Sequence, residues 1–321
     1  MKQFIIVSMI GGIVLANGCV RSVSQEARAI PDPCDDRYYR GYCLQHVSFP
    51  SRVYSEIIKD REYVRYDRQR LLLDVYLPHN RHAVPVILWV HGGGFRLGNK
   101  ESPLYLKEFL QRGYAVVSID YRICPEAVFP DQLNDVRNAV RWIRAHADRY
   151  GFDVHNIGAL GFSAGGHLVS LLGTAKEEGK ESSAVKAVVN FGGSTDLLSI
   201  QEHCRMVRGC DIDPASSDRG FSCFLGCIIT DAKCEDKARL ASPVTHVSSD
   251  DAAFLNIYGD RDFLVPLAQG LEFHERLREN DVDASFIVAQ GFGHGGGVFD
   301  AYQEEVLAFF DRHLLGKTLD Q

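Results

Sequence analysis

The feature that most constrains this chain is Gly161-Phe162-Ser163-Ala164-Gly165, a serine between two glycines directly after the apolar run 157–160. When a strand turns sharply into a helix, the apex residue takes a strained backbone conformation, and only glycine on either side lets the two segments approach closely. Residues 157–160 can supply that strand and the apolar run 166–172 a buried helix, so the pattern predicts the Ser163 hydroxyl at a helix N-terminus. Positive partial charge there favours a developing anion. Ser163 is therefore a candidate nucleophile.

Three fixed positions are a weak signal alone, and the upstream stretch His91-Gly92-Gly93-Gly94-Phe95 strengthens it. It too follows an apolar run, 84–90, and a triple glycine there can turn backbone N–H groups towards the serine as an oxyanion hole, with the N–H of Ala164 as a further donor. Further runs at 71–77, 114–119, 185–191, 254–258 and 284–288 read as strands, beginning from Val64. Helical patterns lie between them, the clearest at 131–150, bounded by Pro130 and Gly151, with others at 266–280 and 301–315. Strands alternating with helices at these lengths predict an α/β fold, a mostly parallel twisted sheet with helices on both faces. A stretch at about 195–237 carries cysteines and no clear period, and reads as an irregular insertion.

A serine hydroxyl needs a general base and a third group that orients the base. On this fold both follow the nucleophile in the order acid, then histidine. The strand 254–258 leads into Gly259-Asp260-Arg261-Asp262, which places two acids at a strand's carboxyl end, where α/β sheets build their sites. The strand 284–288 leads into Gly291-Phe292-Gly293-His294-Gly295, which makes His294 the base. His167, on the helix just after Ser163, is read as a packing residue, and Arg122 and Glu126 as structural ion-pair residues.

The first 18 residues read as an export leader, with Lys2 as a short positive segment and the apolar run 4–15 too short to span a bilayer. Leu15-Ala16-Asn17-Gly18-Cys19 resembles a bacterial lipobox with alanine where leucine is usual, so Cys19 is the expected acylation site and an N-terminal lipid anchor the expected membrane attachment; the alternative is ordinary signal-peptidase cleavage nearby and a secreted protein. Residues 19–50 read as an irregular segment and 51–317 as the catalytic domain. Eight of the nine cysteines follow Cys19, an even set that predicts disulfides in an exported chain. If Cys34 pairs with Cys43, five remain in the insertion, and one of them must reach Cys124. A zinc site from Cys223, Cys227 and Cys234 is disfavoured, because the familiar C-x-x-C and Cys/His spacings are absent. A formal charge of −7 without a Lys/Arg block argues against nucleic acid as a partner.

The motifs His91 to Phe95, Tyr121-Arg122-Ile123-Cys124-Pro125-Glu126, Gly161 to His167, Ala241-Ser242-Pro243-Val244-Thr245, Gly259 to Pro266 and Gly291 to Gly296 resemble the α/β-hydrolase fold, and within it the hormone-sensitive-lipase-like carboxylesterases and the acetyl-xylan and feruloyl esterase-like proteins. The resemblance implies that Asp262, the second acid of its motif, is the triad acid, and that Gly93 and Gly94 with Ala164 are the oxyanion donors. Cys124 and the cysteines from Cys204 to Cys227 depart from the family pattern. The expected function is hydrolysis of carboxylic esters through an acyl-serine, with Ser163, His294 and Asp262 catalytic and neither metal nor organic cofactor. Short acyl groups, on small-molecule or carbohydrate esters, are the expected substrates. The alternatives are a peptidase on the same fold and a catalytically silent binding protein.

Overall fold

In this computed structural model the described residues are 56–317, apart from 68, 80–82, 102, 178–181 and 211–219, together with the backbone of 14–16 and 19–21. The chain divides into two units, Met1–Ser48 and Phe49–Gln321. Of the first, the two short strands Val14–Ala16 and Cys19–Arg21 pair antiparallel. The rest of the expected leader, the side chain of Cys19, and Cys34 and Cys43 lie outside the described residues.

The second unit is built on one sheet of eight strands: β1 (Glu56–Arg65), β2 (Arg70–Leu77), β3 (Val84–Val90), β4 (Ala115–Ile119), β5 (Phe152–Phe162), β6 (Ala187–Phe191), β7 (Ala253–Gly259) and β8 (Ala284–Ala289). Their order across the sheet is β8-β7-β6-β5-β3-β4-β2-β1. β1 and β2 pair antiparallel, as do β2 and β4, and the other neighbours are parallel. The central strands are buried along their length, as β3 and β6 are, because helices cover both faces. On one face lie α2 (Asp131–Ala145), α3 (Ala164–Thr174) and α7 (Leu267–Glu279), where Phe273 packs edge-on to Phe254. On the other, α1 (Leu106–Gln111) meets α8 (Gln303–Leu315) through Phe109 and Phe310, with ring centroids 5.7 Å apart.

Three sequence expectations need correction. The sheet begins at Glu56, not Val64, because β1 is an edge strand whose only buried residue is Ile58 and whose two register shifts break its alternation. The helix expected over 131–150 breaks at His146, whose ring bonds the carbonyl of Trp142 and stacks on its indole. The insertion is not simply irregular: it contains α4 (Ile200–Arg205), α5 (Gly220–Leu225) and α6 (Glu235–Leu240). These helices are too short to display a period and are held by three disulfides, Cys124–Cys223, Cys204–Cys210 and Cys227–Cys234. Cys124 thus bonds the insertion, and the cysteines of the disfavoured zinc reading are engaged as disulfides.

Candidate active site

The site gathers at the carboxyl ends of β3, β5, β6, β7 and β8. β5 delivers Ser163 at the turn into α3 with φ 54° and ψ −119°, a backbone conformation that L-residues rarely adopt. The flanking glycines are set by close approach: a Cβ on Gly161 would overlap the carbonyl of Gly165, and one on Gly165 would overlap those of Val90 and His91. The elbow is therefore pressed against the end of β3, where the triple glycine starts. Gly93, with φ 117°, turns the chain so that its own carbonyl accepts from the N–H groups of Arg96 and Leu97. Gly94 follows with φ 60°. Ala164 opens α3, and the first N–H groups of a helix have no intrahelical acceptor.

β7 and β8 end in two interleaved turns. Asp262 is buried and spends one carboxylate oxygen on the N–H groups of Leu264 and Val265, both at 2.8 Å. Its other oxygen lies 2.6 Å from His294 Nδ1. A carboxylate can only accept, so Nδ1 carries the proton and Nε2 presents its lone pair to the Ser163 hydroxyl, 2.8 Å away. The side chains of His294 and Asp262 are 3% and 2% exposed, so the pair is held largely away from water. The ring of Phe162 backs the imidazole at 4.9 Å. Asp260, two residues earlier, accepts from the N–H of Gly291 at 2.6 Å and so ties down the loop carrying His294. The two acids thus have different partners: Asp262 faces the imidazole, and Asp260 faces backbone.

The neighbouring residues are structural supports. His167 is fully buried, bonds the carbonyl of Ser194 through Nδ1 (2.8 Å), and sits edge-on to Phe95 and Phe224. Burial pushes its pKa down to about 4, and does the same to His91, which stacks on Tyr121. Arg122 pairs with the buried Asp135 at 2.9 Å and with Asp131 at 3.4 Å, whereas Glu126 is exposed. Among the described residues no group of three or more His, Cys, Asp or Glu side chains is placed to hold a metal ion.

Sequence reasoning overlooked several residues around the site. Gly192, just past β6, lies so close that a Cβ would stand 3.5 Å from both Asp262 Oδ2 and the His294 ring. Behind it, Asn190 donates to Tyr258 Oη (2.9 Å) and accepts from the N–H of Gly193 (2.8 Å), bracing β6 against β7. The available signal was the Gly192-Gly193 pair at the carboxyl end of a predicted strand.

The BD-FAE family matches residues 73–277. Among curated relatives, the esterase LipC of Mycobacterium tuberculosis is 32% identical over 71% of this chain and 58% of its own length. The chain spans about half the length of the curated relatives it matches. Among solved structures, a truncated carbohydrate esterase from gut microbiota superposes with a TM-score of 0.71 at 28% identity, covering 83% of this chain and 99% of that one. A bifunctional GH43-CE protein of Bacteroides eggerthii gives a TM-score of 0.70 at 31% identity, over 80% of this chain and 35% of that one.

Proposed function

The chain belongs to the BD-FAE family, and from that premise we propose that it is a serine carboxylic ester hydrolase that works through an acyl-enzyme on Ser163. The observation that carries the reading is the relay Ser163 Oγ to His294 Nε2 (2.8 Å) and His294 Nδ1 to Asp262 (2.6 Å), set on a strained elbow. His294 takes the hydroxyl proton as Oγ attacks the ester carbonyl, and the carbonyl oxygen gains negative charge beside the N–H groups of Gly93, Gly94 and Ala164. The imidazolium then protonates the departing alcohol, stabilised meanwhile by Asp262. Water repeats the two steps to release the acid.

Short acyl groups on carbohydrate or small alcohols are the substrates this reading favours. α5, anchored by Cys124–Cys223, stacks Phe224 on Phe95, the residue that follows the glycine triple, at 4.0 Å; both rings are buried, so the disulfide fixes the backing of the glycine segment and supports a site with little freedom to admit a long chain. The likeness to a carbohydrate esterase over 99% of that chain supports the alcohol class. A panel of aryl esters from acetyl to octanoyl, run beside acetylated and feruloylated sugars, triglyceride and one peptide, tests this. The highest kcat/KM is expected on acetyl or propionyl esters, and Ser163→Ala should lower it by about four to six orders of magnitude. A profile that peaks at long chains with interfacial activation would make the protein a lipase, and turnover of the peptide alone a peptidase.

The lipobox-like Leu15-Ala16-Asn17-Gly18-Cys19 supports export and anchoring through acylated Cys19. Val20 is not the aspartate associated with inner-membrane retention, which favours an outer membrane where the source has one. Mass spectrometry of the mature N-terminus should find a diacyl or triacyl modification on Cys19, and an unmodified terminus would reject the anchor.

A further inference from the structure

The segment between β3 and Lys100 carries the glycines beside Ser163, and its two ends are held in different ways. Its near end packs on the elbow through the carbonyls of Val90 and His91, and its middle is pinned where Phe95 O accepts from the N–H of Cys124 at 2.8 Å. Residues 97–99 are exposed, and the chain then returns inward at Lys100, whose side chain is 8% exposed.

Lys100 ends the segment with a dense set of polar contacts to the far edge of the sheet. Its ammonium lies 3.1 Å from Oδ1 of Asp74 on β2, a side chain with no solvent exposure, and 2.8 Å from Asp60 on β1. Its N–H donates to Asp120 at 2.9 Å and its carbonyl accepts from Ser118 Oγ at 2.5 Å. Asp74 is itself fully engaged: its Oδ1 also accepts from the N–H of Asp60 at 2.9 Å, and its Oδ2 accepts from Lys59 at 2.7 Å. Burial lowers the ammonium pKa of Lys100, but Asp60 and Asp74 outweigh it and hold the group charged. Buried ion pairs seldom stabilise a fold more than well-packed apolar groups of the same volume, and a defined role for them is the fixing of one arrangement.

We propose that Lys100 is a positioning residue for catalysis: by clamping the far end of the glycine segment to Asp74 and Asp60, it sets where the N–H groups of Gly93 and Gly94 stand relative to Ser163. The inference rests on the esterase reading above. It explains why a chain that needs only an exposed loop at 97–99 returns a lysine to the edge of the sheet instead of an apolar anchor.

The test compares an aryl acetate with the matching O-aryl thionoacetate, because sulfur accepts hydrogen bonds poorly and the oxygen-to-sulfur rate ratio reads the oxyanion donors. In Lys100→Met, kcat on the acetate should fall about tenfold to a hundredfold with KM nearly unchanged, since displacing reacting groups by an ångström costs on that order. The oxygen-to-sulfur ratio should fall with it, and Lys100→Arg should restore both. Should Lys100→Met not fold, Asp60→Asn decides: the Asp60 side chain is 64% exposed and its loss leaves Asp74 paired with both lysines, so the fold is expected to stand while the ratio drops by a smaller factor. An unchanged ratio in the folded variants, or a proportional loss on both substrates, overturns the proposal. Wild-type turnover of the acetate, absent in Ser163→Ala, tests the esterase reading separately, so an active wild type with an unchanged ratio in the variants rejects the role of Lys100 alone.

Discussion

At the scale of single residues, the site is defined by what each polar atom can still do once its partners are counted. Asp262 and Asp260 are two residues apart, yet only Asp262 faces an imidazole. Asp262→Asn should lower kcat by about four orders of magnitude, because an amide in that place reverses the required tautomer. Asp260→Asn should cost far less, since it weakens one bond to the backbone of Gly291. Steady-state kinetics of the two variants check the ranking, and the reverse order would exchange their roles. The apex itself stores strain, because Ser163 holds φ 54° and ψ −119°, a region that suits glycine. Ser163→Gly should therefore be inactive and yet more stable than the wild type by about 1 kcal/mol in urea unfolding, in keeping with the cost of such a conformation. A less stable Ser163→Gly would show that the elbow carries no such strain.

At the scale of elements, the insertion is the least ordinary part of the chain. Cys124–Cys223 closes a loop with a sequence separation of 99 and joins the end of the β4 turn to α5, which carries Phe224. Removing it with Cys124→Ala and Cys223→Ala should cost about 2–4 kcal/mol, the usual effect of cross-linking a long loop. Because Phe224 then loses its fixed place behind Phe95, the proposed preference for short acyl chains should also relax, and kcat/KM measured from acetyl to octanoyl esters would show it. An unchanged acyl profile would separate the disulfide from specificity. The insertion also marks where the sequence ceased to be readable. Buried strands such as β3 and β6, and the turns at Ser163, Asp262 and His294, announce themselves through unbroken apolar runs closed by glycine. β1 does not, because an exposed edge strand has no second face to bury. α4, α5 and α6 are six residues each, less than two turns, so no period could emerge. Asp74, Lys100, Asn190 and Tyr258 escaped notice for another reason: isolated polar residues acquire meaning only when the fold brings them together.

At the scale of the whole molecule, two buried neutral imidazoles link stability to pH. His91 and His167 have pKa values near 4 in the folded state, against 6.5 for the unperturbed group. The unfolded chain therefore binds more protons than the folded one between those values, so stability should be constant above about pH 6.5, fall as the pH drops, and level off near pH 4 as far as these two groups are concerned. Each contributes about 3 kcal/mol across that window, from 1.36 kcal/mol per pKa unit. Denaturant unfolding from pH 7.5 to 4.5 checks it, and a flat profile would mean that these rings are not buried as neutral groups. Reaction of the intact protein with a fluorophosphonate shows whether the fold presents one activated hydroxyl, that of Ser163. A single phosphonyl adduct per chain is expected, mapped by peptide mass spectrometry to Ser163, formed in step with the loss of ester turnover and absent from Ser163→Ala. An adduct on any other residue, or full loss of turnover with Ser163 unmodified, would contradict it.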